Sequence, residues 1–354
     1  MTADVIVAGQ GAVGLCASLA IAARGLSVLL IGESSAGEAS RAAAGMLAPS
    51  VERASAEADT FGIAARDRYP SFLDSLRERS PIHVSLNRAG IFQVALSPAG
   101  EKGLRKSAPP TSTWLDRDEL TRVEPSLSHA LGAVHNPLDG CVDNVALMDA
   151  LVDAARSTRL ITFRQARVRS VETPGNSVLA ALSDGESASA SRIVIAAGAW
   201  SAQIGGARFA AAVSPAKGQL VQYAACALSH VTYGPRGYLV PRGAGTVAGS
   251  TMERTGFDAS TSADGIARVR GAATEIIPSL GTLEPESSWA GLRPVTPDML
   301  PVIGADPERP SIIYACGHGR NGILMAPLTG DLVADLVTAS PLPYELAQFR
   351  PNRF

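Results

Sequence analysis

Residues 4–33 leave few folds open. A short apolar run, Val5 to Ala8, leads into Gly9, Gly11 and Gly14; Val13, Ala17 and Ile21 then recur at i+4 spacing, and a second apolar run, Val28 to Ile31, follows. Short apolar runs predict buried strands and the i+4 spacing predicts one helix between them. Two neighbouring parallel strands need such a crossover, so this stretch reads as the first unit of a doubly wound sheet. In GQGAVG the first glycine permits the tight turn, the second lets the backbone approach a pyrophosphate, and the third lets the helix pack on the strand. The helix start adds unpaired N–H groups and a positive dipole end. An acid about 20 residues further on takes the ribose hydroxyls in this motif, and Glu33 stands 33 − 14 = 19 residues after Gly14. The alternative for Glu33 is a solvated loop glutamate. An acid there disfavours a 2′-phosphate, but the glycines alone do not separate NAD from FAD.

Composition removes several other classes. The 31 Lys+Arg against 33 Asp+Glu give a net charge of −2 over 354 residues, so no basic field is available for nucleic acid or anionic lipid. Cys16, Cys141, Cys226 and Cys316 show no CxxC pair or regular spacing, which suggests neither a zinc site nor a disulfide framework and suits a reducing cytoplasm. The apolar N-terminus lacks a basic leader region, and Asp4 and Gln10 interrupt it, so it is expected to be strand and buried helix, not a signal peptide. No other run is long and apolar enough to span a membrane.

Two more strand-then-glycine units lie downstream, RIVIAAGAW from Arg192 to Trp200 and SIIYAC from Ser311 to Cys316, the latter leading into GHGRNGIL. Between them, runs such as GIFQVAL (90–96) and GYLVPR (237–242) alternate as strands of a second sheet do. The expected class is α/β: a Rossmann-like, glutathione-reductase-type nucleotide domain interleaved with an α+β substrate domain on an antiparallel sheet. The expected division assigns 1–80, 143–213 and 294–354 to the first and 81–142 and 214–293 to the second. The Ala/Ser/Gly-rich patches at 183–191 and 259–263 read as loops.

WAGLRPVTPDMLPVIG, residues 289–304, sets Arg293 in apolar surroundings. A buried guanidinium is costly without a partner, and a planar carboxylate matches its fork bidentately. The partner could be a substrate carboxylate or a protein acid, with Asp298 the nearest candidate; an exposed loop arginine is the third reading.

SRAAAGML (40–47), RIVIAAGAWS (192–201), GYLVPR, WAGLRPVTPDMLPVIG and GHGRNGILMAPLTG (317–330) resemble, in this order, the landmarks of the FAD-dependent D-amino acid oxidase superfamily. Within it the likeness is to the glycine oxidases of the thiamine pathway, over nearly the whole chain from Asp4 to about Arg350. The resemblance implies non-covalent FAD, oxidation of glycine, sarcosine or a small D-amino acid to the imine by hydride transfer to flavin N5, and reoxidation by oxygen to hydrogen peroxide, in a homo-oligomer.

It also implies roles for single residues. Arg293 grips the substrate carboxylate, Tyr238 shares it, Arg320 lies near flavin and substrate, and Met46 and Met252 line the pocket. Cofactor contacts are implied for Gly9, Gly11, Gly14 and Glu33, for Ser40, Arg41, Gly45 and Met46, for Val168, Gly198 and Trp200, and for Gly317, Gly319, Arg320, Asn321, Gly322 and Ile323. Leu324, Leu328, Leu332 and Leu336 mark a helix after this last loop, whose positive end would stabilise negative charge on the flavin pyrimidine. Each role has a structural alternative: a core tyrosine, a salt-bridged Arg320, methionines filling the core, tryptophans that only pack. His318 is assigned no catalytic role, and Cys316 is expected to be a plain buried thiol. Ser40, Arg41 and Arg236 depart from the family pattern. Arg236 would either attract a second carboxylate or be solvated. The rival functions are a D-amino acid oxidase or dehydrogenase of broader range, a nicotinamide dehydrogenase, and a non-catalytic flavoprotein subunit.

Overall fold

The structure, a computed structural model, describes residues 2–52, 56–175, 177–224 and 228–354. Cys226 lies outside the described residues. Among them, two eight-stranded sheets and a three-stranded one carry the fold.

The first sheet has a parallel centre. Thr2–Ala8 pairs in parallel with Val28–Ile31 on one side and Ser187–Ile195 on the other; Ile161–Arg164 extends the sheet beyond Val28–Ile31, and Ile312–Cys316 pairs with the C-terminal part of Ser187–Ile195. Strand alternation divides the side chains between two cores. Val5 and Val7 face one with helices Ala12–Ala23, Asn144–Ser157 and Gly322–Thr338, while Ile6 and Ala8 face the other with Val178 and Ile204. Burial on both faces is why these strands read as continuous apolar runs. Helix Gly322–Thr338 crosses Ala12–Ala23 closely: a Cβ on Gly330 would stand 2.7 Å from the carbonyl carbon of Cys16.

The patch at 183–191, read as a loop, enters the strand Ser187–Ile195. Its first half pairs antiparallel with Val178–Leu182, and Ala188 and Ala190 are buried while Ser187 is exposed. The small residues alternate in and out, a strand pattern that composition hides.

The second sheet runs, in spatial order, Ser287–Val295, Ser214–Tyr223, Gly245–Gly249, Tyr238–Arg242, Val231–Tyr233, Ile91–Ala95, Gly132–Asn136, Thr113–Asp116. Its pairings are antiparallel except that Val231–Tyr233 runs parallel to Ile91–Ala95. Helix Ala263–Ile276 packs Val269, Ala273 and Ile276 with Val221, Leu239 and Ala248. Leu220, Tyr238 and Val247, the alternate residues, belong to the opposite face with Met46 and Trp289. That register aims Tyr238 at the space between the two large sheets. Among the described residues no helix is long and apolar enough to cross a membrane.

Candidate active site

A cavity of about 430 Å³ is lined by the glycine turn and strand ends of the first sheet and by Gly218, Tyr238, Ser250 and Arg293 of the second. Gly9 needs its glycine: it has φ 122°, and a Cβ there would run into the Ala196 carbonyl. Gly11 precedes helix Ala12–Ala23, and its first N–H, from Ala12, is capped by Ser40 Oγ at 3.0 Å across the loop. Gly14 does not line the cavity; a Cβ there would collide with the Gly9 carbonyl, so it lets the helix seat on the turn.

Glu33 lines the cavity just past the end of Val28–Ile31 and accepts from Arg167 Nε at 2.6 Å, while Arg167 Nη2 donates to Ser35 Oγ at 3.0 Å. Sequence reasoning missed Arg167, whose signal is only the strand-end position before Val168. Arg41 pairs with Asp149 at 2.8 Å. Val168, Gly198, Trp200, Gly45 and Met46 also line the wall. The residues fit an extended dinucleotide cofactor: a turn with no room for a Cβ at Gly9 and a helix start on one long wall, with an acid at the end of the second strand.

The wall contributed by the second sheet carries the unpaired cation. Arg293 Nη2 donates to Ser250 Oγ at 2.6 Å and Nη1 to the Thr251 carbonyl at 3.1 Å, with Met252 Sδ 3.9 Å away. No carboxylate pairs with it among the described residues. Asp298, the rival partner, is taken by Arg353 at 2.8 and 3.1 Å; burial raises its pKa, but the bonds from Arg353, the Leu300 N–H and Thr296 outweigh this and lower it. The guanidinium rests on Gly218, where a Cβ would overlap it. Tyr238 is 6% exposed, its hydroxyl has no hydrogen-bond partner among the described residues, and its ring lies over Gly249, next to Ser250. Met252 itself is 51% exposed and off the cavity wall.

Gly317, Gly319, Arg320, Asn321, Gly322 and Ile323 line the cavity where helix Gly322–Thr338 starts. Arg320 is salt-bridged, to Glu52 at 2.6 Å; burial works against its charge, but Glu52 more than offsets this and its pKa is raised. Glu52 also accepts from Tyr233 at 2.8 Å, and Tyr233 approaches Met46 Sδ at 3.0 Å. Burial, with Glu52 alongside, pushes the Tyr233 phenol up, so it stays a donor. Neither Glu52 nor Tyr233 has a motif that marks it in sequence.

His318 is 3% exposed and bonded to Thr329 at 3.1 Å, and burial pushes its pKa down to about 4. It is neutral near pH 7. Cys316 is 1% exposed with its thiol pushed up by burial to about 12, a protonated sulfur with little nucleophilic character. Arg236 points to solvent and pairs with Glu275 at 2.8 Å, away from the cavity. Trp200 stacks at a tilt on Phe257, and Trp289 donates to the Ala42 carbonyl at 2.9 Å.

Fold and site together define a dinucleotide-binding oxidoreductase built on two sheets. The chain belongs to the FAD dependent oxidoreductase (DAO) family, which matches residues 4–336. It is 34% identical over 367 residues to the glycine oxidase of Geobacillus kaustophilus, covering 99% of this chain and 97% of that one. It is 33% identical over 365 residues to the bifunctional protein ThiO/ThiG of Synechocystis; all of this chain is covered but 54% of the relative, so it spans about half of that protein. The crystal structure of Geobacillus kaustophilus glycine oxidase superposes with a TM-score of 0.93 at 31% identity, covering 100% and 99% of the two chains.

Proposed function

We propose that the protein oxidises glycine, or sarcosine or a small D-amino acid, to the imine, with non-covalent FAD as cofactor and oxygen as final acceptor. The observation that carries this reading is Arg293: a guanidinium on the cavity wall whose contacts are all neutral, beside the unpartnered hydroxyl of Tyr238. A carboxylate placed there receives the remaining Arg293 donors and the Tyr238 O–H, which fixes the substrate by its acid end and leaves its α-carbon and amine facing the cavity. A bound flavin supplies the hydride acceptor. The chain has only to orient the substrate and shape the field around it, so no general-base side chain is required at the α-carbon. On the Gly317–Ile323 side Arg320 is held by its ion pair with Glu52, which offsets its charge.

On this reading segments 1–80, 143–213 and 294–354 form the cofactor domain and 81–142 and 214–293 the substrate domain. The first sheet draws its strands from the former set and the second from the latter, apart from the last two residues of Ser287–Val295. The family likeness adds a homo-oligomer in the cytoplasm.

The direct test is an anaerobic visible spectrum with glycine, sarcosine and D-alanine added in turn. A yellow protein should bleach with at least one and recolour in air with peroxide release. If it bleaches but recolours only with an artificial acceptor, it is a dehydrogenase; if no amino acid bleaches it, the substrate reading fails.

Glu33 gives a second expectation. Glu33→Ala removes the acid proposed to hold the ribose and should weaken FAD binding about tenfold, the scale of one charge-assisted hydrogen bond. Titration of apoprotein with FAD measures it, and an unaltered affinity removes the ribose role.

A further inference from the structure

We propose that Asn144, Trp289 and Arg242, none of which belongs to the sequence motifs for the cofactor, are positioning residues for FAD, acting through the loop that walls the cavity from Glu38 to Met46. The proposal rests on the FAD reading above and deepens it.

That loop is anchored at its ends, by a backbone bridge from Glu38 to Leu292 and by pairing of Gly45 and Met46 with Val142 and Cys141, and by the Arg41–Asp149 ion pair, but its middle has few polar groups of its own. Ala39, Ala42, Ala43, Ala44 and Gly45 carry no polar side chains. Its helix, Ala39–Ala42, stops after one turn because Ala43 is extended, at φ −64° and ψ 161°. A single turn leaves its last carbonyls without helical donors. Here four successive carbonyls are taken by side chains from outside. Asn144 Nδ2 donates to Ser40 O at 2.8 Å and Arg41 O at 3.2 Å; Trp289 Nε1 donates to Ala42 O at 2.9 Å; Arg242 Nη2 donates to Ala43 O at 3.3 Å.

The three donors come from different places. Asn144 opens the helix Asn144–Ser157, whereas Arg242 ends the strand that begins at Tyr238 and Trp289 lies on the strand of Arg293. Asn144 is fully buried, and its amide works in both directions: two N–H bonds to the loop and one accepted from Arg242 Nη2 at 2.6 Å. An aspartate there would keep the shape and lose both donors. No carboxylate pairs with Arg242 among the described residues, and burial lowers its pKa, a cost that a surface arginine does not bear. Asn144 and Arg242 are off the cavity wall, whereas every residue from Glu38 to Met46 is on it.

Two consequences follow for the ligand. Each of the four carbonyls has a donor from outside the loop, which reduces the acceptor character they present to a ligand rich in phosphate and ring-carbonyl oxygens. The same loop carries Ser40, whose hydroxyl caps the Ala12 N–H at the start of the glycine-turn helix. Slackening the loop therefore loosens that helix start as well, and ties cofactor retention to the sheet that holds Arg293 and Tyr238.

The test is titration of apoprotein with FAD by flavin fluorescence, with circular dichroism to confirm folding. Asn144→Asp and Arg242→Met should each weaken FAD about tenfold, and the double variant should be little weaker than the worse single, because both act through one hydrogen-bonded chain. Arg242→Lys should recover part of the loss. Trp289→Phe, which keeps the ring and removes only the donor, should weaken FAD several-fold and serves if the Asn144 variant does not fold. Folded variants with wild-type FAD affinity, or losses that simply add, would overturn the proposal. A wild-type chain that binds no FAD would overturn the cofactor reading itself, along with this one.

Discussion

Arg293→Ala should lower kcat/KM for the amino acid substrate by roughly 10²- to 10³-fold, with FAD still bound. The size follows from removing one partner of a desolvated, hydrogen-bonded charge pair, which costs about 2–5 kcal/mol, at about 1.4 kcal/mol per decade. The geometry says why the loss falls on the substrate. A guanidinium has five donors. Ser250 Oγ and the Thr251 carbonyl take one each, and the rest of the fork is left for a carboxylate. Both protein partners are neutral, so the charge itself is unbalanced until substrate arrives. Arg293→Lys should recover only part of the activity, because a point charge on a flexible stem does not reproduce the planar fork. Steady-state kinetics over a wide substrate range, with flavin absorbance as the check on cofactor content, measures the effect. Unchanged glycine kinetics in a flavin-loaded alanine variant would remove the carboxylate role.

The cofactor half of this site was legible in the sequence because its chemistry is made by backbone. The positive φ of Gly9 and the seating of Gly14 on the Gly9 carbonyl act within a few residues of chain, so their spacing shows in the sequence; the approach of Ala196 to Gly9 does not. The parallel strands were legible too, since burial on both faces leaves unbroken apolar runs. The strand Ser187–Ile195 was only half visible: Ser and Ala alternate in its first half, and with such small side chains the inward and outward positions differ little in hydropathy.

The substrate half was legible only where a family motif marked it. Arg293 could be singled out, but nothing in its own segment tells whether Asp298 or a ligand would meet it. The answer depends on Arg353, at the far end of the chain, which occupies Asp298. Glu52 and Tyr233 went unnoticed for a related reason. Glu52 meets Arg320 and Tyr233, and the three come from distant segments; no local pattern records a contact between residues so far apart in sequence.

Gly218 is a further case of chemistry set by distant residues, and it gives the second large effect. It lies in the middle of Ser214–Tyr223, where glycine weakens a strand, and its φ is not of the kind that demands one. Its role is space. Ala216 is in register with Arg293 and Gly218 shares its face, so the guanidinium lies back across Gly218 to reach Ser250. A Cβ at 218 would overlap the guanidinium itself. Backbone pairing on both sides holds the strand, so the arginine must move and give up its bonds to Ser250 and Thr251. Gly218→Ala should therefore copy much of the Arg293→Ala defect, lowering kcat/KM by about 10- to 100-fold at 1.4–2.7 kcal/mol, while FAD affinity stays near wild type. The same substitution should be nearly silent in an Arg293→Ala background, because the group it displaces is already gone. That coupling separates it from general damage to the sheet: equal further losses from Gly218→Ala with and without Arg293 would mean that the glycine serves the strand and not the clamp.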